Sequence, residues 1–159
     1  MATGFGSGFD KKALARLDKK FAAMPGAMIA ASRSSLEASA GEITQAQKRL
    51  VPQRTGTLRD AIMFKVAPGK AAAVAIFVNY RGPGPKAPHA HLIEFGTAPH
   101  VITSTKPMGQ RGQFGLRVQH PGTEAQPFFY PVYRIYRRRV RARLSRAAKK
   151  AAQETAHGR

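Results

Sequence analysis

The chain contains no cysteine. Disulfides, thiolate metal sites and a cysteine nucleophile are therefore excluded. Acid is scarce as well. Asp and Glu together number 8 against 27 Lys and Arg, a formal net charge of +19. Between Arg49 and the C-terminal tail the only carboxylates are Asp60, Glu94 and Glu124, so a carboxylate pair for general acid and base work is nearly excluded. No apolar run approaches membrane-spanning length. Met1 to Asp10 is glycine-rich and carries no apolar stretch of the kind a secretory signal needs. The expectation is a cytoplasmic product with no membrane partner.

What remains is informative. A length of 159 residues implies one domain, long enough to bury a core without staples. A field of +19 favours an acidic partner, whether nucleic acid, an anionic membrane or an acidic protein surface, through contacts that salt weakens, and charge does not choose among them. Residues 1–9 read as a disordered lead, and 10–156 as a single domain. Asp10 can cap a first helix with Leu14, Leu17, Phe21 and Met24 on one face. Pro25-Gly26 ends or kinks it. In a second helix Ile29, Leu36, Ile43 and Leu50 recur every seven residues, with Ser32, Ser39 and Ala46 between them. So narrow a stripe of small residues suits packing on a sheet better than a coiled coil. Val51-Pro52 closes it.

Leu58 to Val66 reads as a strand, although Thr57 and Asp60 also permit a short helical turn. Pro68-Gly69 is a turn. Ala72 to Tyr80 alternates and is the clearest strand. Arg81 to Pro88 is a Pro/Gly loop. His89 to Phe95 is read as a third strand, ended by Gly96. Val101 to Thr103 continues after Pro99, and Phe114 to Gln119 supplies a fourth strand beyond a polar excursion over 103–114. Pro127 stands where a proline can start a helix. From there Phe129, Val132, Tyr136, Val140, Leu144, Ala147 and Ala151 form one apolar stripe, and Arg137, Arg138, Arg139, Arg141, Arg143, Arg146, Lys149 and Lys150 cover the rest. The expected fold is α+β: an antiparallel sheet of about four strands with an N-terminal and a C-terminal helix packed on one face. Phe77 and Phe95 belong to its core.

On a strand, His89 and His91 would share one face with His100 nearby, which suggests zinc with Glu94 or His120 completing the site. Glu94, at odd spacing, would face away, so surface histidines are the better reading and no metal or cofactor is expected. Glu94 reads as a structural ion pair with Arg59 or Arg117 rather than as a catalytic group. The glycine-rich pieces 82–85 and 109–112 lack the lysine and hydroxyl of a phosphate-binding loop. The basic C-terminal helix could lie along phosphates or dock an acidic protein. Its aromatics cluster at its start, which disfavours base stacking.

Three pieces occur in one order: Pro52-Gln53-Arg54-Thr55-Gly56-Thr57-Leu58-Arg59, then His89-Ala90-His91-Leu92-Ile93-Glu94-Phe95-Gly96-Thr97-Ala98-Pro99-His100, then His120-Pro121-Gly122-Thr123-Glu124-Ala125-Gln126-Pro127-Phe128. The set resembles the small neck and tail-completion proteins of long-tailed phages, also known as minor tail or head–tail joining proteins. The resemblance implies a non-enzymatic virion protein assembled in the host cytoplasm. It implies a ring, hexameric in such proteins, between tail tube and head connector, with loops 81–88 and 103–114 as contact arms. Interface residues on this reading are Arg81, Lys86, His89, His91, Glu94, Lys106, Arg111, Arg138, Arg141 and Lys149. The partners are further copies of the chain, tail-tube and head-connector proteins, and DNA if the basic helix meets it. A sequence-independent nucleic-acid-binding protein is the alternative.

Overall fold

A computed structural model describes residues 10–21, 25–68, 72–109 and 114–157, with the backbone alone at a few helical positions. The lead over 1–9, Met24, Gly69 and Arg111 lie outside the described residues, as do the side chains of Leu17 and Phe21. The elements in order are α1 (Lys11–Phe21), α2 (Gly26–Leu50), α3 (Thr57–Ala61), β1 (Ile62–Val66), β2 (Val74–Val78), α4 (Ala90–Phe95), β3 (His100–Thr103), β4 (Arg117–His120) and α5 (Tyr130–Ala156). They fall into two compact units. One comprises 1–88 and 128–159, the other 89–127. No helix among the described residues is long and apolar enough to cross a membrane.

In the first unit Asp10 accepts a hydrogen bond from the Lys12 amide at 2.9 Å and opens α1 as a capping aspartate should. Helix α2 packs along α5 and also meets β1 and β2. Its buried face is Ser32, Ser39, Ala40, Ile43, Thr44 and Gln47. Small side chains let the neighbouring elements approach closely, as the narrow stripe implies. The stripe runs out before the helix does, since Leu50 is exposed. The Gln47 Nε2 donates to the Phe129 carbonyl at 3.1 Å and ties α2 to the start of α5. Strands β1 and β2 pair antiparallel, Ile62 opposite Val78 and Val66 opposite Val74. Ile62, Val78 and Phe128 are fully buried.

Several expectations need correction. The span 58–66 divides: α3 takes Thr57–Ala61 and β1 takes the rest. Helix α5 begins at Tyr130 with Pro131 in its first turn, so Pro131 rather than Pro127 supplies the fixed φ. The fourth strand is shorter than 114–119 and covers Arg117–His120. The sheet is not one of four strands but two antiparallel pairs, β1-β2 and β3-β4. The reason is α4: Ala90 to Phe95 is helical with His89 as its N-cap, so the segment read as the third strand adds none to either pair. Phe77 is buried as expected, but Phe95 is 59% exposed on that helix and is not core.

The second unit is built around a backbone crossing. Thr97 and Thr123 exchange amide-to-carbonyl hydrogen bonds of 2.9 and 3.0 Å. Gly96 (φ +70°) and Gly122 (φ +86°) flank it. A Cβ on Gly96 would stand 2.6 Å from the Thr123 carbonyl oxygen, and one on Gly122 would collide with that of Thr97. The Gln126 amide donates to the Ile93 carbonyl at 2.8 Å and fixes the end of α4. Strands β3 and β4 form a ribbon with His100 opposite His120 and Thr103 opposite Arg117.

Candidate functional site

Two surfaces of the first unit and one of the second carry the sequence-derived interface residues. The first surface is α5. Its apolar stripe places Val132 and Ala151 in the core, while Arg134, Arg137, Arg138, Arg139, Arg141, Arg146, Lys149 and Lys150 are exposed. Arg143 behaves differently from its neighbours. Its Nη2 donates to Glu42 Oε1 at 2.7 Å and its Nη1 to Ser39 Oγ at 3.2 Å. Ser39 Oγ donates in turn to the Ser35 carbonyl at 2.8 Å, and Arg139 lies 3.5 Å from Glu42 Oε2. The Arg143 hydrogen bond, with the Arg139 charge behind it, holds the Glu42 carboxyl below its ordinary value despite some opposing desolvation. This α2–α5 tie was missed from sequence. Its signal was an acid, Glu42, next to the stripe of small residues on a helix paired with a strongly basic one.

The second surface is the loop after β2. Asn79, read from sequence as a strand residue, is buried and organises that loop. Its Nδ2 donates to the Pro83 and Pro85 carbonyls at 3.0 and 2.9 Å, and its Oδ1 accepts the Gly82 amide at 2.8 Å. The Ala87 amide returns to the Asn79 carbonyl at 2.8 Å. One side chain thus supplies partners that a Pro-rich segment cannot find in itself. Arg81 and Lys86 project from the ordered loop into solvent, with Arg81 over the Tyr80 ring at 5.1 Å.

In the second unit His89 and His91 are exposed at the start of α4, and Glu94 is buried near its end. His100 and His120 face each other with ring centroids 5.0 Å apart. The His120 Nδ1 accepts the Gly122 amide at 3.1 Å, and the His100 Nδ1 lies 2.9 Å from the Ala98 carbonyl. Among the described residues no group of three or more His, Asp or Glu is placed to hold a metal. Lys106 is exposed in the turn between the strands. Every residue of β3 is exposed, and Val101, Ile102, Phe114 and Leu116 place apolar surface on the ribbon and its tip. Arg59, one partner expected for Glu94, meets its neighbour Asp60 at 3.2 Å. Arg138, Arg141 and Lys149 share one helix, whereas Arg81, Lys86, the histidines and Lys106 are spread over separate loops and elements.

The model of the HK97-gp10-like family, bacteriophage tail-component proteins typified by HK97-gp10, matches residues 15–96, a little over half of the chain. The chain belongs to this family. The match spans α2, α3, β1, β2 and α4, and so includes the Asn79-organised loop and the His89 to Gly96 segment. No curated protein and no solved structure matches the chain. A tail component is a structural virion protein whose contacts are with other virion proteins.

Proposed function

We propose that this tail component completes the junction between tail and head, working as a ring, hexameric by the resemblance, whose chemistry is shape and charge complementarity rather than turnover. The observation that carries this reading is the β3-β4 ribbon. A lone two-stranded ribbon is marginal in water, and this one exposes Val101, Ile102, Phe114 and Leu116. Such a surface calls for a covering partner, and a neighbouring subunit in a closed ring would give every copy the same cover. The ordered loop 81–88 provides a second contact arm. The arms, the exposed His89 and His91 and the α5 cations are the interface groups of this proposal, whereas the burial of Glu94 removes it from them; particle assembly places the protein in the tail or neck.

For α5 we infer an acidic protein ring as the partner. DNA passing through a phage channel must slide, and a strongly attractive wall would hold it. The test reverses Arg138, Arg141 and Lys149 to Glu. All three are exposed, so the melting temperature should hold while particle completion fails. Head–tail joining is scored beside a DNA titration at two salt concentrations. Normal joining together with loss of a tight, steeply salt-dependent DNA affinity would transfer the helix to nucleic acid.

A further inference from the structure

Among the described residues the first unit carries a strand edge with no strand paired to it, beside an apolar groove with two cations at its rim that have no partner there. Strand β2 pairs only with β1 among the described residues. In an antiparallel pair, alternate residues turn their N–H and C=O toward the partner. The flanking bonds, Ala67 amide to Ala73 carbonyl and Asn79 amide to Ala61 carbonyl, both 2.8 Å, set the parity. Ala75 and Phe77 therefore bond to β1, and Val74 and Ile76 direct their backbone groups outward. Both residues are part-exposed.

The side chains of Val74 and Ile76 line a half-open groove of about 220 Å3, completed by Leu36 and Ile43 of α2 and by Tyr133 and Val140 of α5. Arg137 and Arg141 also line it. Both are exposed, and neither has a hydrogen-bond or ion-pair partner among the described residues. The volume falls below the roughly 300 Å3 at which small-molecule sites begin, and it suits a few side chains presented by an extended segment.

We infer that the β2 edge and its groove accept an added strand from a partner protein, a short extended segment with apolar and acidic residues on the side turned toward α5. Backbone pairing with Val74 and Ile76 gives affinity, and the groove and arginines give selectivity. Successive same-side residues of a strand stand about 7 Å apart, close to the roughly 6 Å rise between Arg137 and Arg141 on their helix. Two carboxylates at i and i+2 therefore match the spacing of the two cations. A second copy of this chain is a poor occupant. Its eight acids, Asp10, Asp18, Glu37, Glu42, Asp60, Glu94, Glu124 and Glu154, all stand alone in sequence, and a net charge of +19 opposes self-association through cationic faces. The occupant is an acidic protein of the same particle. In this respect the inference rests on the proposed tail role and names the chemistry of one contact.

The test uses the full chain and a labelled, end-blocked peptide of sequence Val-Thr-Glu-Thr-Glu-Thr-Val, read by fluorescence anisotropy. Two versions carry N-methyl groups on the odd or on the even amides, and one carries Lys in place of both Glu. The parent should bind. One N-methylated version should bind at least tenfold more weakly while the other binds normally, and the Lys version should not bind. Arg137→Glu should weaken the parent about tenfold. Ile76→Pro, which removes an outward amide and leaves the β1 ladder whole, should do the same if its melt matches the unaltered chain. The inference is overturned if the parent does not bind below millimolar concentration. It is also overturned if both N-methylated versions bind like the parent, if Arg137→Glu has no effect, or if duplex DNA displaces the peptide at equal phosphate and carboxylate charge. Particle incorporation of Arg137→Glu is scored separately. Peptide binding without incorporation of any version of the chain would count against the tail role, whereas incorporation without peptide binding would count against the groove alone.

Discussion

Alanine at Gly122 should break the crossing that organises residues 89–127. Two separate costs arise there. The backbone sits at φ +86°, where a side chain costs about 1–2 kcal/mol. The new Cβ would also collide with the Thr97 carbonyl oxygen and stand 2.9 Å from the Ala98 carbonyl carbon. Both are backbone atoms held by the Thr97–Thr123 bonds, so the clash cannot be relieved by turning a side chain. Overpacking of this kind costs about 1–3 kcal/mol, and the sum is about 2–5 kcal/mol. Gly84 provides the internal control. Its φ is +87°, yet a Cβ there meets nothing within 4 Å. Gly84→Ala should therefore cost about 1–2 kcal/mol or less, since alanine also restricts the unfolded chain. Amide hydrogen exchange at Thr97 and Thr123 is the assay, because it reads local opening even where a global melt does not. Exchange at both amides should accelerate roughly tenfold or more in Gly122→Ala and scarcely in Gly84→Ala. Equal exchange in the two variants would refute the steric argument.

Asn79→Ala should cost about 2–4 kcal/mol, since it removes three hydrogen bonds from a buried position, and proteolysis within 81–88 is the accompanying readout. Phe128→Ala should cost about 3–5 kcal/mol because the ring is fully buried, whereas Phe95→Ala should leave the thermal melt nearly unmoved. For Glu42, whose carboxyl is held below its ordinary value, the folded state binds fewer protons than the unfolded one. Its contribution is present at neutral pH and is lost as pH falls through and below the usual carboxylate range. Glu42→Gln should lower the melting temperature at pH 7 but hardly at pH 3, and a constant offset across that span would contradict the assignment.

Regular periodicity made the long elements legible. Helices α2 and α5 follow from stripes of seven and of three and four, and β2 from alternation between flanking turns. His89 to Phe95 failed for a physical reason. Over seven residues a period of 2 and a period of 3.6 fit nearly the same apolar positions. The better signal was at the end: Gly96, at φ +70°, stands just past Phe95, where a glycine commonly ends a helix. Ala90 and Glu94, four apart, are the residues α4 buries. The turn glycines at 96 and 122 were recognisable as turn formers, but that they flank one crossing was not, because they stand 26 positions apart in the chain. The α5 cations were visible as a set. That Arg143 is drawn out of it by Glu42 depends on a contact between residues 101 positions apart, which no local pattern encodes.

The discontinuity of the first unit has a consequence for how the protein comes into being. Its core is closed by α5, which is made after every other described element of the unit, and Gln47 finds its partner at Phe129 only after 82 further residues. The face of α2 carrying Ala40, Ile43 and Gln47 must wait through synthesis of the whole intervening segment. Such long-range closure is slow, and an exposed apolar helix face is prone to aggregate while it waits. The matched span 15–96 is thus a unit of ancestry but not a unit of folding: expressed alone, it would lack the helix against which its longest element packs.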